Sequence, residues 1–510
     1  MIRGLGIAAF LLIAAFVGCG GRIATSGPNK VEIPVADGAQ AAKGRGVDPA
    51  RQSAPPSGVL REAPFPGVLR ITLANGLNVA VVTARAVPIV QVRLLVPAGS
   101  GHGPSPAVAQ LTADLLKDGG TRAMSSADLV RRVETLGAEL SVSSDFDTTV
   151  LSMPVTKDEL AEGLALLSQV VREPRFDGEE LRKLKARATD AAQEAARSNG
   201  QLAAMHLVFR ELFPEKSPYS NYGALPSQIA RVDLGAIREF YRRFYGPNGA
   251  TLVLAGDIDE PTAKALAERH FGAWTGGEPT RVEHAAPRPP AKTRVLIAHR
   301  PRSVQSDVYV ALMAPARRSE SWAAVRIATQ ILGGGPASRL FAEAREQRAL
   351  AFATSATIFE LPEGDQPLLV YAGTDSARTA QTAAALLDNL ARMTTSPPTV
   401  SETSTARAYV SDVFAIRLES IGSIADLVVT QNEFGLPDGY WDAYRKQLRA
   451  TDASQVEAAA KKLYTPDKAL VVIAGDADVI ATDLVKLGDV TVVDPEKEFK
   501  TMRTLPQVTK

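Results

Sequence analysis

The sequence predicts an α+β protein of two homologous lobes, each a two-layer α/β sandwich. The main observation is an internal repeat. Residues 233–259 and 452–478 both contain a capped helix, a Tyr-x-Pro stop, a buried strand and an Ala-Gly-Asp turn. The two copies match without a gap at a constant offset of 219 residues, from Asp233 to Asp452 and from Gly256 to Gly475. Such a register over four successive features indicates a duplicated domain.

Chain length and local patterns support this architecture. At 510 residues the chain is too long for one ordinary core. Alternating apolar residues predict strands over Val68–Leu73, Leu77–Val82, Ile89–Val96, Thr148–Val155 and Leu368–Gly373. Apolar residues at helical spacing predict helices over Pro106–Lys117, Ser125–Leu136, Leu160–Val171 and Ala377–Arg392. Meandering strands with helices on one face form two layers.

The predicted organisation has six parts. Residues 1–18 form a signal peptide, residues 19–64 a disordered tether rich in Gly, Pro, Ala and Ser, and residues 65–282 the N-terminal lobe. A Pro-rich linker over residues 283–292 leads into a C-terminal lobe over 293–490 and a tail over 491–510. The net charge is +1 and Lys and Arg are scattered among Asp and Glu, so the sequence suggests no polyanionic partner and gives no electrostatic indication of nucleic-acid binding.

The N-terminal segment indicates export. Arg3 precedes an apolar stretch over Leu5–Val17 that suits a signal peptide better than a membrane-spanning helix. Phe16-Val17-Gly18-Cys19 resembles a lipobox, with Phe where Leu is usual, and Cys19 is the only cysteine. An acylated Cys19 would anchor the exported protein stably in a membrane, and the Gly residues after it indicate the outer membrane, facing the periplasm. The alternative is an ordinary signal peptide with an incidental cysteine.

Several longer segments resemble the insulinase/pitrilysin family of metallopeptidases. The first half contains "LANGLNVAVV", "LVPAGS", "LLKDGGT" and "ETLGAELSVSSDFDTTVLSMPV", and the second half contains "ILGGGPASRLFAEAREQRALAFATSA". The resemblance covers residues 65 to 490 and is closest to the short two-domain branch related to processing peptidases. It implies two lobes per chain, and two such chains closing around an extended peptide.

The resemblance also locates the family's zinc site. Active members carry H-x-x-E-H on the helix before "LLKDGGT", in which two His bind zinc and the Glu activates a water molecule. Here Gln110 and Asp114 occupy the His positions and Ala113 the Glu position. Ala191 aligns with the distal Glu ligand, and Asp190 is its neighbour. The resemblance therefore implies a zinc site that has been lost.

The chemistry of these residues supports the same conclusion. Gln110 is a neutral amide, Asp114 offers one carboxylate, and Ala113 has no group that can transfer a proton, whereas zinc needs three or more protein ligands. No two of the chain's histidines lie within four residues of each other; they are His102, His206, His270, His284 and His299. His102, flanked by glycines, is a remaining candidate for a loop ligand, and packing or surface roles are the alternative for all five. We expect no metal and no other cofactor.

In the second lobe the resemblance implies a substrate-binding region. Active members have an Arg and a Tyr seven residues apart; this chain keeps Arg345 but has Phe352, which cannot donate a hydrogen bond to an oxyanion. The alternative for Arg345 is a surface residue paired with Glu343 or Glu346. Gly333, Gly334 and Gly335 match the position of the glycine-rich loop of non-catalytic processing-peptidase subunits, and the alternative is a helix C-cap.

Together these features predict an inactive family member. It would pair with an active zinc-peptidase homologue, help to bind extended peptides at the cell envelope, and take part in proteolysis only within that complex. Two alternatives remain open on the sequence: a stand-alone peptide-binding or scaffold protein of the envelope, and a metallopeptidase with non-standard ligands.

Overall fold

The computed structural model describes residues 63–278 and 282–508. The predicted signal peptide, Cys19 and nearly all of the predicted tether lie outside these residues. Residues from Pro64 onward form one compact unit. None of the described helices is both long enough and apolar enough to cross a bilayer.

The first lobe is built on a six-stranded sheet with strand order β1-β2-β6-β3-β5-β4. Its strands are β1 (Leu69–Thr72), β2 (Asn78–Thr83), β3 (Ile89–Val96), β4 (Ser141–Ser144), β5 (Thr149–Thr156) and β6 (Thr251–Gly256). The helices of this half are α1 (Pro106–Asp118), α2 (Ser126–Thr135), α3 (Leu160–Arg172), α4 (Gly178–Ser198), α5 (Gly200–Leu212), α6 (Pro226–Arg231), α7 (Leu234–Phe244) and α8 (Glu260–Phe271).

The second lobe is built on a seven-stranded sheet with strand order β13-β12-β7-β11-β8-β10-β9. Its strands are β7 (Arg294–His299), β8 (Gln305–Ala314), β9 (Ala353–Ile358), β10 (Gln366–Asp375), β11 (Leu470–Gly475), β12 (Asp489–Asp494) and β13 (Lys500–Leu505). The helices are α9 (Trp322–Gly333), α10 (Thr379–Thr395), α11 (Val400–Arg417), α12 (Ile421–Glu433), α13 (Tyr440–Ala450), α14 (Ala453–Leu463) and α15 (Ala477–Leu484), with a π-helical turn over Phe341–Gln347.

The predicted duplication is confirmed in the strand pairing. β6 lies parallel to β2 and antiparallel to β3, and β11 lies parallel to β7 and antiparallel to β8. The helices that precede β6 and β11 begin alike, since the Asp233 and Asp452 side chains each accept a backbone N–H of the first turn. The two α+β lobes therefore share the topology of five strands, β2-β6-β3-β5-β4 and β7-β11-β8-β10-β9, and differ in the strands beyond β2 and β7.

The two halves exchange a helix, which the sequence did not predict. α12, from the second half, covers the face of the first sheet opposite its own helices, with Ile424 and Val428 packed on Ala80 and Val253. α5, from the first half, covers the second sheet in the same way, with Leu207 and Val208 in one buried cluster with residues of β7, β8 and β11. Each two-layer lobe thus receives a third layer from the other half, which joins the lobes through buried apolar surface.

The predicted tail over 491–510 differs from the structure. β12 pairs with β7 in parallel and β13 pairs with β12, so residues up to Leu505 belong to the edge of the second sheet. Charged residues such as Lys500 and Arg503 obscure β13 in the sequence, because an edge strand exposes many of its side chains. The predicted linker over 283–292 contains no helix or strand.

Candidate functional site

α1 carries the residues that match the zinc motif. Pro106 occupies the first turn, where its missing N–H costs nothing, and the helix packs against β4, α4 and α7. Its inner face consists of fully buried Leu111, Leu115 and Leu116. The helix is therefore held by its apolar face, independently of any metal.

The three motif positions differ in burial. Ala113 is buried, whereas Gln110 and Asp114 are half-buried. Within the described residues, neither Gln110 nor Asp114 makes a side-chain hydrogen bond or an ion pair. Burial, with a smaller contribution from the nearby Asp118 carboxylate, raises the pKa of Asp114 to about 6, although Lys117 and Arg187 oppose the shift. Asp114 is thus a carboxyl group without a compensating partner.

The distal position lies on α4, which neighbours α1. α4 starts beside the C-terminal end of α1, since the Arg175 N–H donates to the Gly120 carbonyl and Arg187 lies 3.6 Å from Asp118 in an ion pair. This order indicates that α4 runs back along α1. Ala191 lies one turn after Arg187 on α4, and Asp114 lies one turn before Asp118 on α1. Ala191, which is exposed, is therefore level with Asp114. The structure therefore brings the four motif positions to one pair of helices.

These residues do not fit a zinc ion. The four positions supply one carboxylate, one neutral amide and two methyl groups, and zinc in proteins prefers imidazole and thiolate ligands. A group of three ligand-type side chains with donor atoms within 4.8 Å of one another occurs once in the described part of the chain, at His299, Asp476 and Asp478, which lies in the second lobe. No chemical step is therefore assigned to a metal at α1.

The His299 group is explained by helix capping. Asp476 is the N-cap of α15 and accepts the Asp478 N–H, while its other oxygen accepts the Arg302 N–H. The His299 Nδ1 atom accepts the Ala477 N–H at 3.1 Å, so the proton of a neutral imidazole sits on Nε2 and leaves that atom no lone pair for a metal.

The other four histidines occupy varied places. The His102 ring lies edge-on to Phe244 at 5.2 Å in a short turn before α1. Burial lowers the pKa of His206 to about 4, and burial also lowers the pKa of His270. The Nε2 atom of His284, in the segment between the lobes, lies 3.0 Å from Asp147. These positions favour packing and structural roles over ligation.

The second-lobe residues surround one end of β9. The Arg345 guanidinium stacks on Phe341 at 4.6 Å and lies 3.6 Å from Glu346, as the surface-residue alternative predicts. The Phe352 N–H donates to the Gly373 carbonyl, and the Phe352 ring is half exposed. An exposed aromatic ring and a cation beside an edge strand suit peptide contact.

The three glycines follow from packing at the end of α9. A Cβ on Gly333 would lie 2.3 Å from the backbone nitrogen of Ala356 on β9. Gly334 is the C-cap, and Gly335 has a positive φ of 145°. The helix C-cap alternative therefore accounts for the run of glycines through close approach and backbone conformation.

Two acidic side chains, one from each half, lie together at a place that the sequence did not predict. Asp145, in the β4–β5 turn, and Glu433, at the end of α12, are hydrogen-bonded to each other, and the Thr148 hydroxyl donates to Glu433 at 3.0 Å. Burial raises the pKa of both carboxyls. Asp145 raises the pKa of Glu433 further, whereas the hydrogen bond from Glu433 lowers the pKa of Asp145. Because Asp145 and Glu433 lie far apart in the chain, only the exchange of α12 brings them together.

Comparison with known proteins identifies relatives of both halves. Residues 78–216 match the family described as insulinase (peptidase family M16), and residues 231–410 match the peptidase M16 inactive domain. An uncharacterized zinc protease of Mycobacterium leprae is 25% identical over 413 residues, covering 78% of this chain and 89% of that protein. The zinc protease PqqE of Helicobacter pylori is 22% identical and covers 77% of this chain and 89% of that protein.

Solved structures share the fold. A peptidase M16 inactive domain from Pseudomonas fluorescens superposes with a TM-score of 0.74 at 25% identity, covering 80% of this chain and 98% of that chain. A protease from Helicobacter pylori superposes with a TM-score of 0.71 at 18% identity, covering 80% of this chain and 99% of that chain.

Proposed function

Because the chain belongs to the insulinase family of peptidases, we propose that it is a non-catalytic subunit that pairs with an active zinc peptidase of the same family and helps to bind extended peptides at the cell envelope. The observation that carries the proposal is the state of α1. Its buried face is complete, but its motif positions hold Gln110, Ala113 and Asp114. The fold is retained while the residues that bind zinc and activate water in active relatives are replaced, which suits a subunit whose active partner supplies the hydrolytic chemistry.

An exposed strand edge supports peptide binding. β4 is the last strand of the first sheet and lies beside α1. Within the described residues it pairs with β5 alone, so its outer backbone groups can receive an added strand. A peptide bound there would pass along α1, next to Gln110 and Asp114. Main-chain pairing accepts many sequences, which suits a subunit that presents substrate rather than selecting it.

The envelope assignment and the partner class rest on two further features. The first is the predicted export signal, with Cys19 at its end. The second is that relatives covering most of this chain are named zinc proteases. An active zinc peptidase of this fold is therefore the partner with matching architecture.

Affinity capture of the full chain from its native membrane tests the pairing. A tagged chain should retain, in comparable amount, a protein with an intact H-x-x-E-H motif, and a tagged unrelated lipoprotein from the same membrane should not. Native mass spectrometry should give the mass of a heteromer. Repeated isolation of the chain as a lone monomer would refute the pairing, and saturable peptide binding by that monomer would support the stand-alone alternative instead.

A further inference from the structure

A pocket of about 550 Å³ lies in the first lobe, beyond the C-terminal end of α1. It is formed where the α1–α2 connection, the α3–α4 connection and α7 meet. Four of its seven lining residues are arginines; the lining is Arg122, Arg172, Pro174, Arg175, Phe176, Arg238 and Tyr241. No acidic residue lines it, although Glu173 lies close enough to Tyr241 to act on its hydroxyl.

The arginines are poorly neutralised. Arg175 lies 3.6 Å from Asp177, and this is the one ion pair that any of the four makes within the described residues. The Asp177 carboxylate also caps α4, so its charge is shared. Arg172 donates to the His270 carbonyl at 3.0 Å, and Arg238 donates to the Phe176 carbonyl at 3.5 Å. Neutral carbonyl oxygens orient these guanidinium groups without cancelling their charge.

The backbone beneath the arginines is fixed. The Arg122 N–H donates to the Glu173 carbonyl at 2.8 Å, and the Arg175 N–H donates to the Gly120 carbonyl, which ties the two connections together. The Tyr241 hydroxyl donates to the Val171 carbonyl at 2.7 Å, and Arg122 and Arg172 both act on this hydroxyl. The positive charges are thus arranged before any ligand arrives, which lowers the cost of binding.

At the equivalent place in the second lobe, acidic side chains of the same chain neutralise the arginines. There the segment after α9 meets the α10–α11 connection, and Arg339 binds Glu402 through two hydrogen bonds of 2.7 and 2.9 Å. Arg392, at the end of α10, pairs with Glu343. In the first lobe, α7 carries Arg238 where α14 carries Glu457 at the repeat offset. The carboxylates that neutralise the second-lobe arginines have no counterparts among the pocket's lining residues.

We propose that this arginine pocket binds a phosphate-bearing ligand. The paired N–H groups of a guanidinium match the spacing of two phosphate oxygens. A divalent phosphate also neutralises the positive charge of two arginines at once. The volume exceeds that of one phosphate and leaves space for the group that carries it. A soluble phosphate ester and a phospholipid headgroup share this chemistry, and the experiment separates them.

Calorimetric titration of the full chain with inorganic pyrophosphate, at constant ionic strength, tests the site. We expect saturable binding, weakened by about tenfold or more in Arg122→Gln/Arg238→Gln, since each lost guanidinium removes a charged hydrogen bond. The matched control Arg131→Gln/Arg242→Gln removes the same charge from two exposed arginines of the same lobe that pair with Asp128 and Glu239. It should leave the affinity nearly unchanged. Circular dichroism verifies that both variants fold.

Vesicles distinguish the two sources of phosphate. Displacement of pyrophosphate by phosphatidylglycerol-containing vesicles, but not by phosphatidylcholine vesicles, identifies a lipid headgroup; retention of pyrophosphate identifies a soluble ester. Equal affinity in the pocket and control variants would overturn the proposal. So would pyrophosphate binding that does not saturate, or an acidic peptide that binds through these arginines while pyrophosphate fails to compete.

Discussion

Helices α1 and α9 occupy equivalent places in the two lobes. β3 and β8 lead into them, and Leu95 pairs with Thr251 as Ala311 pairs with Leu470. This correspondence places the buried side chains of α1 in register with those of α9; the pairs are Leu111 with Ile327, Leu115 with Ile331 and Leu116 with Leu332. The inner faces of the two helices are therefore alike.

Their outer positions differ. Gln110 corresponds to Arg326, which lies 3.4 Å from Glu360, and Glu360 also pairs with buried Arg317. Arg317 in turn stacks on Tyr440 and Trp441 of α13. In the second lobe the place equivalent to the zinc motif has become part of the packing. In the first lobe Gln110 and Asp114 are half-buried and, in the part of the chain that the structure describes, have no such side-chain partners.

The largest expected effect comes from rebuilding the zinc site. The variant Gln110→His/Ala113→Glu/Asp114→His/Ala191→Glu should bind one zinc per chain, with a free energy on the order of 10 kcal/mol, because the helices that would hold the ligands are intact. Elemental analysis after gel filtration measures the bound metal.

The control places the three α1 substitutions of this variant on α9, as Arg326→His/Thr329→Glu/Gln330→His, and its matched comparison is Gln110→His/Ala113→Glu/Asp114→His without the change at Ala191. Thr329 is buried and Arg326 is paired, so the α9 variant should lose stability and bind no zinc. Equal zinc binding at α9 would show that the difference between the two helices has no structural basis.

A smaller effect is expected from breaking the second-lobe cluster. Glu360→Gln removes the charge that two arginines share, and Arg317 is 8% exposed, so the free energy of unfolding should fall by about 2–4 kcal/mol. Urea unfolding measures it. Glu346→Gln, at the exposed pair with Arg345, should cost less than about 0.5 kcal/mol. Equal costs for the two variants would contradict a packed role for the cluster.

The smallest effect is expected from replacing Asp114, which should raise the free energy of unfolding, whereas Glu360→Gln should lower it. Its pKa is raised from 3.8 to about 6, so the folded state holds the proton more tightly than the unfolded state. The stability present below about pH 4 is therefore lost as pH rises through about 6. Asp114→Asn should raise the free energy of unfolding above pH 6 by about 1–3 kcal/mol and change little near pH 4.

Thermal unfolding across this pH range, compared with Asp118→Asn, measures the difference. Asp118→Asn also relieves the repulsion at Asp114 but loses the ion pair with Arg187, so its gain above pH 6 should be smaller than that of Asp114→Asn. A loss of stability in Asp114→Asn at alkaline pH would show that the carboxylate has a favourable partner.

The features that local sequence could predict are those held by local interactions. The cap at Asp233, the strand over Thr251–Gly256 and their copies were predicted because each depends on nearby residues. The exchange of α5 and α12 could not be predicted, because the apolar pattern of a helix shows that one face is buried but not which sheet it packs against. The arginine pocket needs Arg122, Arg172 and Arg238 from three separate segments, which only the folded chain brings together.

We propose that this chain assists a peptidase without being one. The most direct test is hydrolysis of an unstructured fluorogenic peptide by the purified chain, by the co-purifying relative with the intact motif, and by both together. We expect no metal-dependent cleavage by the chain alone and faster cleavage by the pair than by the relative alone. Chelator-sensitive cleavage by the chain alone, or an unchanged rate when the two are mixed, would contradict it.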